Sequence, residues 1–126
     1  MEGSPVERPS DTLTIDVEGD GTGTVVIAAN GVIDLVTHAA LEQAAANCLD
    51  SGQPRVILDL SGVSLCDSTG LSALIRLHRR AERSAERYGE TELRLAGVQP
   101  QVRRVLEITD LTRLLHIYDT VAEARA

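Results

Sequence analysis

Ser68 follows Asp67 directly, with Thr69 and Gly70 after it. A hydroxyl beside a carboxylate could be a nucleophile or a helix cap. A serine hydrolase needs a histidine within hydrogen-bond reach and an oxyanion hole. Ser68 is not in a G-x-S-x-G elbow, and His78 lies about three helical turns beyond it. Self-catalysis by Asp67 and Ser68 is therefore rejected as the leading reading.

Other chemistry is scarce. His38, His78 and His116 sit in separate segments and make no HxxxH or HExxH pattern. Cys48 and Cys66 make no CxxC, so neither a disulfide framework nor a zinc site is expected. Cys66 reads as a small buried residue. Every basic residue is Arg, and the chain has no Lys. That removes a Schiff-base lysine and a P-loop lysine. Gly31, Gly62 and Gly70 form no dinucleotide fingerprint. No cofactor or metal is expected.

The net charge is −7, from 12 basic and 19 acidic residues. Such a balance disfavours nucleic acid and anionic membrane surfaces. A protein partner is the better expectation. The length, 126 residues, suits one domain, and 43% of residues are hydrophobic. No apolar run is long enough to span a bilayer. Met1 to Asp11 is polar, carries Pro5 and Pro9 and has no apolar core. It reads as a mobile tail on a cytoplasmic protein, with the domain over 12–126.

The periodicities that must position Ser68 are clear. Leu13, Ile15 and Val17 alternate with polar residues, Gly19 to Gly21 turn, and Thr24 to Ala29 is β-branched, which predicts a hairpin. Leu41, Ala44, Ala45, Cys48 and Leu49 have helical spacing, ended by Gly52 and Pro54. Arg55 to Leu60 reads as a central strand buried on both faces. A loop, Ser61 to Asp67, then leads to a helix beginning near Ser68 and ended by Gly89. Its buried stripe is Leu71, Leu74, Ile75 and Ala81, and Arg79, Arg80, Glu82, Arg83 and Glu86 face outward. Glu92 to Ala96 is a strand, and Pro100 opens a helix whose apolar face is Val102, Val105 and Leu106. Leu115 and Ile117 mark a short strand. Thr120 and Glu123 have capping-box spacing for a last helix. The order ββαβαβαβα predicts an α/β domain with a mostly parallel central sheet, crossover helices and an N-terminal hairpin.

The segment Asp59-Leu60-Ser61-Gly62-Val63, followed by Asp67-Ser68-Thr69-Gly70-Leu71, resembles the STAS domain family of sulfate transporters and anti-sigma factor antagonists. Gly31-Val32-Ile33-Asp34 matches a second family signature, G-x-[IL]-D. The order of elements agrees from about Thr12 to the C-terminus. The resemblance implies a STAS-type fold and an anti-sigma factor antagonist with Ser68 as its phosphorylation site. Thr69 stands where the family often has Ser. By the same resemblance, the unphosphorylated protein binds an anti-sigma factor that is also a serine kinase, releasing a sigma factor, and a protein phosphatase restores the phosphorylated form. The implied contact surface is Leu65, Asp67, Ser68, Thr69, Gly70 and Leu71, with the loop bearing Asp34. A monomer or weak dimer is expected.

Locally, Ser68 or Asp67 could each be the helix cap, and an added phosphate would meet backbone N–H groups there. The rival readings are a non-switching STAS subunit of a lipid-transport or stress-sensing complex, in which Ser68 is only a cap, and a small enzyme.

Overall fold

The computed structural model describes residues 12–126; the expected tail, 1–11, lies outside the described residues. The elements are β1 (Leu13–Gly19), β2 (Thr24–Ile33), α1 (His38–Asp50), β3 (Arg55–Cys66), α2 (Ser68–Tyr88), β4 (Glu92–Ala96), α3 (Pro100–Ile108), β5 (His116–Tyr118) and α4 (Val121–Arg125). A 3-10 turn at Leu111–Arg113, which no periodicity announces, joins α3 to β5. The five strands lie in sequence order. β1 and β2 are antiparallel, and every later pair is parallel.

The turn between β1 and β2 is held by Asp20, whose Oδ1 accepts the Thr22 N–H at 2.8 Å and the Thr22 hydroxyl at 2.6 Å. The main core lies between one sheet face and α1, α2 and α3. Leu41, Ala45 and Leu49 of α1, Leu74 and Leu77 of α2 and Val102 and Leu106 of α3 pack on Ile27, Val56 and Leu58. α4 covers the other face, where Ala124 meets Ile57 and Ala96. The run Val56–Leu58 is therefore buried from both sides, as its unbroken apolar sequence requires.

Two boundaries differ from the sequence reading. α1 begins at His38, one turn ahead of its first buried leucine. β3 does not end at Leu60: Ser61 to Cys66 remain strand. The reason is the partner, since β2 also runs past Ala29 to Ile33. Asn30 faces Gly62, Gly31 faces Val63 and Ile33 faces Cys66, with two irregularities absorbing the unequal lengths. Gly31 stands at φ 128°, where a Cβ would strike the Thr12 carbonyl oxygen. A Cβ on Gly62 would strike the Asn30 side chain. The extended pair thus needs both glycines. It carries Asp34 and Asp67 to the same end of the sheet.

Candidate functional site

β2 and β3 are adjacent parallel strands, so their C-terminal ends place two turns side by side. The Asp67 N–H donates to the Ile33 carbonyl at 3.1 Å, continuing the ladder into the turns. In the first turn, Asp34 Oδ1 accepts the Val36 and Thr37 N–H groups, both at 3.0 Å. The Asp34 N–H donates back to Thr37 Oγ1 at 2.9 Å, and the Thr37 hydroxyl donates to the Val32 carbonyl at 2.6 Å. Asp34 therefore shapes its loop from within. This tight turn leaves Leu35 and Val36 pointing outward, 71% and 80% exposed.

In the second turn, Asp67 is the N-cap of α2. Its Oδ1 accepts the Thr69 and Gly70 N–H groups, each at 3.0 Å, and the Thr69 hydroxyl at 2.5 Å. The Thr69 hydroxyl first, then the Gly70 amide, hold the carboxyl below the usual carboxylate range, and the Leu35 amide assists. Asp67 is thus an ionised cap tied to both turns. The choice left open by local sequence is settled: Asp67 caps, and Ser68 is the first helical residue. Among the described residues the exposed Ser68 hydroxyl has no hydrogen-bond partner. One expectation is corrected. A phosphate on Ser68 would not find the Thr69 and Gly70 N–H groups free, because the Asp67 carboxylate occupies both.

The remaining residues of the expected contact surface divide by depth. Leu65 is 55% exposed. Gly70 and Leu71 are buried. A Cβ on Gly70 would come within 2.6 Å of Cys66 Sγ and 2.8 Å of Ile33 Cγ2, so glycine lets α2 start against the sheet. Cys66 is buried, and desolvation pushes its thiol up to about 12, which leaves it inert.

Sequence reasoning missed several neighbours. Leu35 and Val36 belong to neither a strand alternation nor a helical stripe, and that misfit was their only signal. His38 and Arg76 line a shallow hollow with Ser68, Thr69 and Ser72. Glu42 organises its far side: it accepts from Arg76 Nε at 2.7 Å and Nη2 at 2.8 Å, and its Oε1 is 3.4 Å from His38 Nδ1. The Arg76 hydrogen bonds lead in holding the Glu42 carboxyl low. His78 lies elsewhere, beside His116 with ring centroids 5.8 Å apart.

Ser68, His38 and Glu42 superficially follow the order of a hydrolase triad. It is not assembled as one. No hydrogen bond joins Ser68 to His38 among the described residues, Glu42 is held by Arg76, and the amides that could serve as an oxyanion hole face the Asp67 carboxylate. Among the described residues, no helix is long and apolar enough to cross a membrane.

Known proteins share this fold. A crystal structure of an anti-sigma factor antagonist from Mycobacterium paratuberculosis is 31% identical, with a TM-score of 0.79 over 90% of this chain and 92% of that one. The anti-sigma-F factor antagonist RsfB of Mycobacterium tuberculosis is 27% identical over 115 residues, 90% of this chain and 88% of its own. The Bacillus anti-sigma factor antagonist SpoIIAA, 22% identical, shares the fold with a TM-score of 0.70, covering 88% of this chain and 92% of that one. The family model described as STAS domain matches residues 14–124, and the chain belongs to the STAS domain family.

Proposed function

We propose that this protein is an anti-sigma factor antagonist, a cytoplasmic binding protein rather than an enzyme, switched by phosphorylation of Ser68. Unphosphorylated, it binds an anti-sigma factor that is also a serine kinase, and a sigma factor is released. Phosphorylated, it binds poorly, and a protein phosphatase restores it. The observation that carries this reading is the state of Ser68: an exposed hydroxyl without a partner, at the first position of a helix whose cap is already supplied by Asp67. A hydroxyl needed for structure would be engaged. The names of the similar proteins support the partner class.

The contact surface in this reading is the pair of turns. Leu35, Val36 and Leu65 supply exposed apolar area around Ser68, while Asp34 and Asp67 hold the backbone that presents it. Gly70 and Leu71 act from beneath by seating the helix, and Thr69 acts through the cap. A phosphate here adds a charge of about −1.5 to −2 beside the ionised Asp67. Closing an apolar contact over that charge requires stripping its water.

The test is titration of the unmodified protein and the Ser68→Ala variant with the kinase-type anti-sigma factor of the same organism, followed by addition of ATP. Both proteins should bind, and only the unmodified one should acquire phosphate and dissociate. Absence of binding by either, or phosphate retained in Ser68→Ala, contradicts the proposal.

A further inference from the structure

We infer that the hollow formed by His38, Ser72 and Arg76 is a receiving site for the phosphate of phosphorylated Ser68, with His38 as its direct contact. The inference rests on the proposed phosphorylation of Ser68 and describes what the phosphate does next.

Three observations carry it. First, two amides of the helix N-terminus are already taken. Asp67 occupies the Thr69 and Gly70 amides and is itself ionised, so a dianion on the next residue is repelled from the cap. Second, the hollow on the other side of Ser68 is lined by two nitrogen bases, His38 and Arg76. Third, those two groups meet at Glu42, the one carboxylate that holds them both.

Anchoring decides between the two bases. Arg76 is eight residues along α2 from Ser68, about 12 Å of helix. Its guanidinium is also fastened to Glu42 by two short hydrogen bonds. His38 comes from the neighbouring helix, and its link to Glu42 is long at 3.4 Å. The imidazole can therefore leave Glu42 for the phosphate at little cost, while Arg76 stays and contributes charge across the hollow. An imidazole N–H can donate to a phosphate oxygen in either protonation state. The charged groups that meet His38 or share its hollow are Glu42 on its own helix and Arg76 on α2.

The test uses full-length protein carrying phosphoserine at position 68, introduced during synthesis by genetic encoding so that no kinase is required. The phosphate is titrated by phosphorus NMR. Its second ionisation should lie about half a unit lower in the parent protein than in His38→Gln, the size of an exposed ion pair. Glu42→Gln, which releases His38 and Arg76, should move it further down. Ring resonances of His38 should shift on phosphorylation, with those of His78 and His116 unmoved. Identical phosphate titrations in all three proteins, with an unmoved His38 ring, overturn the receiving site. That result leaves the Ser68 switch standing, which the kinase assay decides separately. Failure of Ser68 to accept phosphate from any kinase leaves the NMR outcome intact.

Discussion

Thr69 Oγ1 lies 2.5 Å from Asp67 Oδ1, whereas the Ser68 hydroxyl one residue away has no partner among the described residues. The two adjacent hydroxyls are therefore unequal as acceptors. A kinase must free the Thr69 hydroxyl from an ionised carboxylate before transferring to it. Phosphopeptide mapping after incubation with the cognate kinase should place the phosphate on Ser68, and Thr69→Val should still be labelled. Phosphate on Thr69, Ser61 or Ser64 in the parent protein contradicts this assignment.

Asp67 contributes through its charge, so its effect depends on pH. Its carboxyl titrates below the ordinary value in the folded protein. The stability it supplies is fully present above the unfolded carboxylate value of about 3.9, and it is lost as pH falls through the lower folded value. Asp67→Ala should destabilise the domain by about 1 kcal/mol at neutral pH, the usual cost of a lost N-cap. The two proteins should converge in denaturant stability as the medium is acidified. A constant difference down to strongly acidic pH would show that Asp67 acts through packing instead.

Gly70 tests the seat of the helix without touching Ser68. Alanine is intrinsically the better helix former by about 1 kcal/mol. The new Cβ, however, falls 2.6 Å from Cys66 Sγ and 2.8 Å from Ile33 Cγ2, in a packed junction. Overpacking of this kind costs about 1–3 kcal/mol. Gly70→Ala should be net destabilised in chemical denaturation and should bind the anti-sigma factor more weakly, because Ser68 shifts with the helix start. A stabilised Gly70→Ala would show that the junction has room.

The cysteines should differ in reactivity. Burial pushes Cys66 up to about 12, and Cys48, half-buried, is raised by the same cause to a smaller degree. The thiolate is the reacting species. An alkylating reagent at neutral pH should modify Cys48 slowly and Cys66 only on unfolding, read by mass spectrometry. Rapid native labelling of Cys66 would mean that the β3–α2 junction opens.

The fold was legible where local pattern and global pairing agree. Val56 to Leu60 has no polar residue on either face except Asp59, and it proved to be the central strand. Pro100 opens α3, and Thr120 caps α4 by accepting the Glu123 N–H at 3.1 Å. The Glu123 side chain reaches back to the Asp119 N–H, one residue before the expected partner. Where sequence reading fell short, the cause was pairing or packing between distant segments. Ser61, Gly62 and Ser64 look like a loop and are strand only because β2 offers them a ladder. His38 joins Ser68 only because α1 and α2 lie side by side. That neighbourhood is set by Leu41, Ala45 and Leu49 sharing one core with Leu74 and Leu77, with the exposed Glu42–Arg76 and Asp50–Arg80 pairs beside it and the buried Ser84 hydroxyl donating to the Leu49 carbonyl at 2.7 Å. No spacing along one chain segment encodes such a meeting.

Phosphorylation should alter binding while leaving the fold intact. The phosphate adds charge at the first residue of a 21-residue helix, where the dipole favours negative charge. The repulsion from Asp67 opposes that gain, and both effects are local and solvent-screened. α2 is anchored far from Ser68 by Leu74, Leu77 and Ala81 in the main core, so its melting does not hinge on the first turn. The same charge within a protein contact meets the exposed Leu35, Val36 and Leu65, which a partner must cover. Each apolar group that would have been buried is then held beside a hydrated dianion. A penalty of about 3 kcal/mol corresponds to roughly a hundredfold weaker binding. Thermal melting of the two forms should agree within a few degrees, while titration with the anti-sigma factor should separate their affinities by that factor. Leu35→Ser with Val36→Ser should weaken the unmodified protein and narrow the gap, since less apolar surface remains for the charge to disturb. Equal affinities of the two forms, or a large loss of helix on phosphorylation, would place the switch outside this surface.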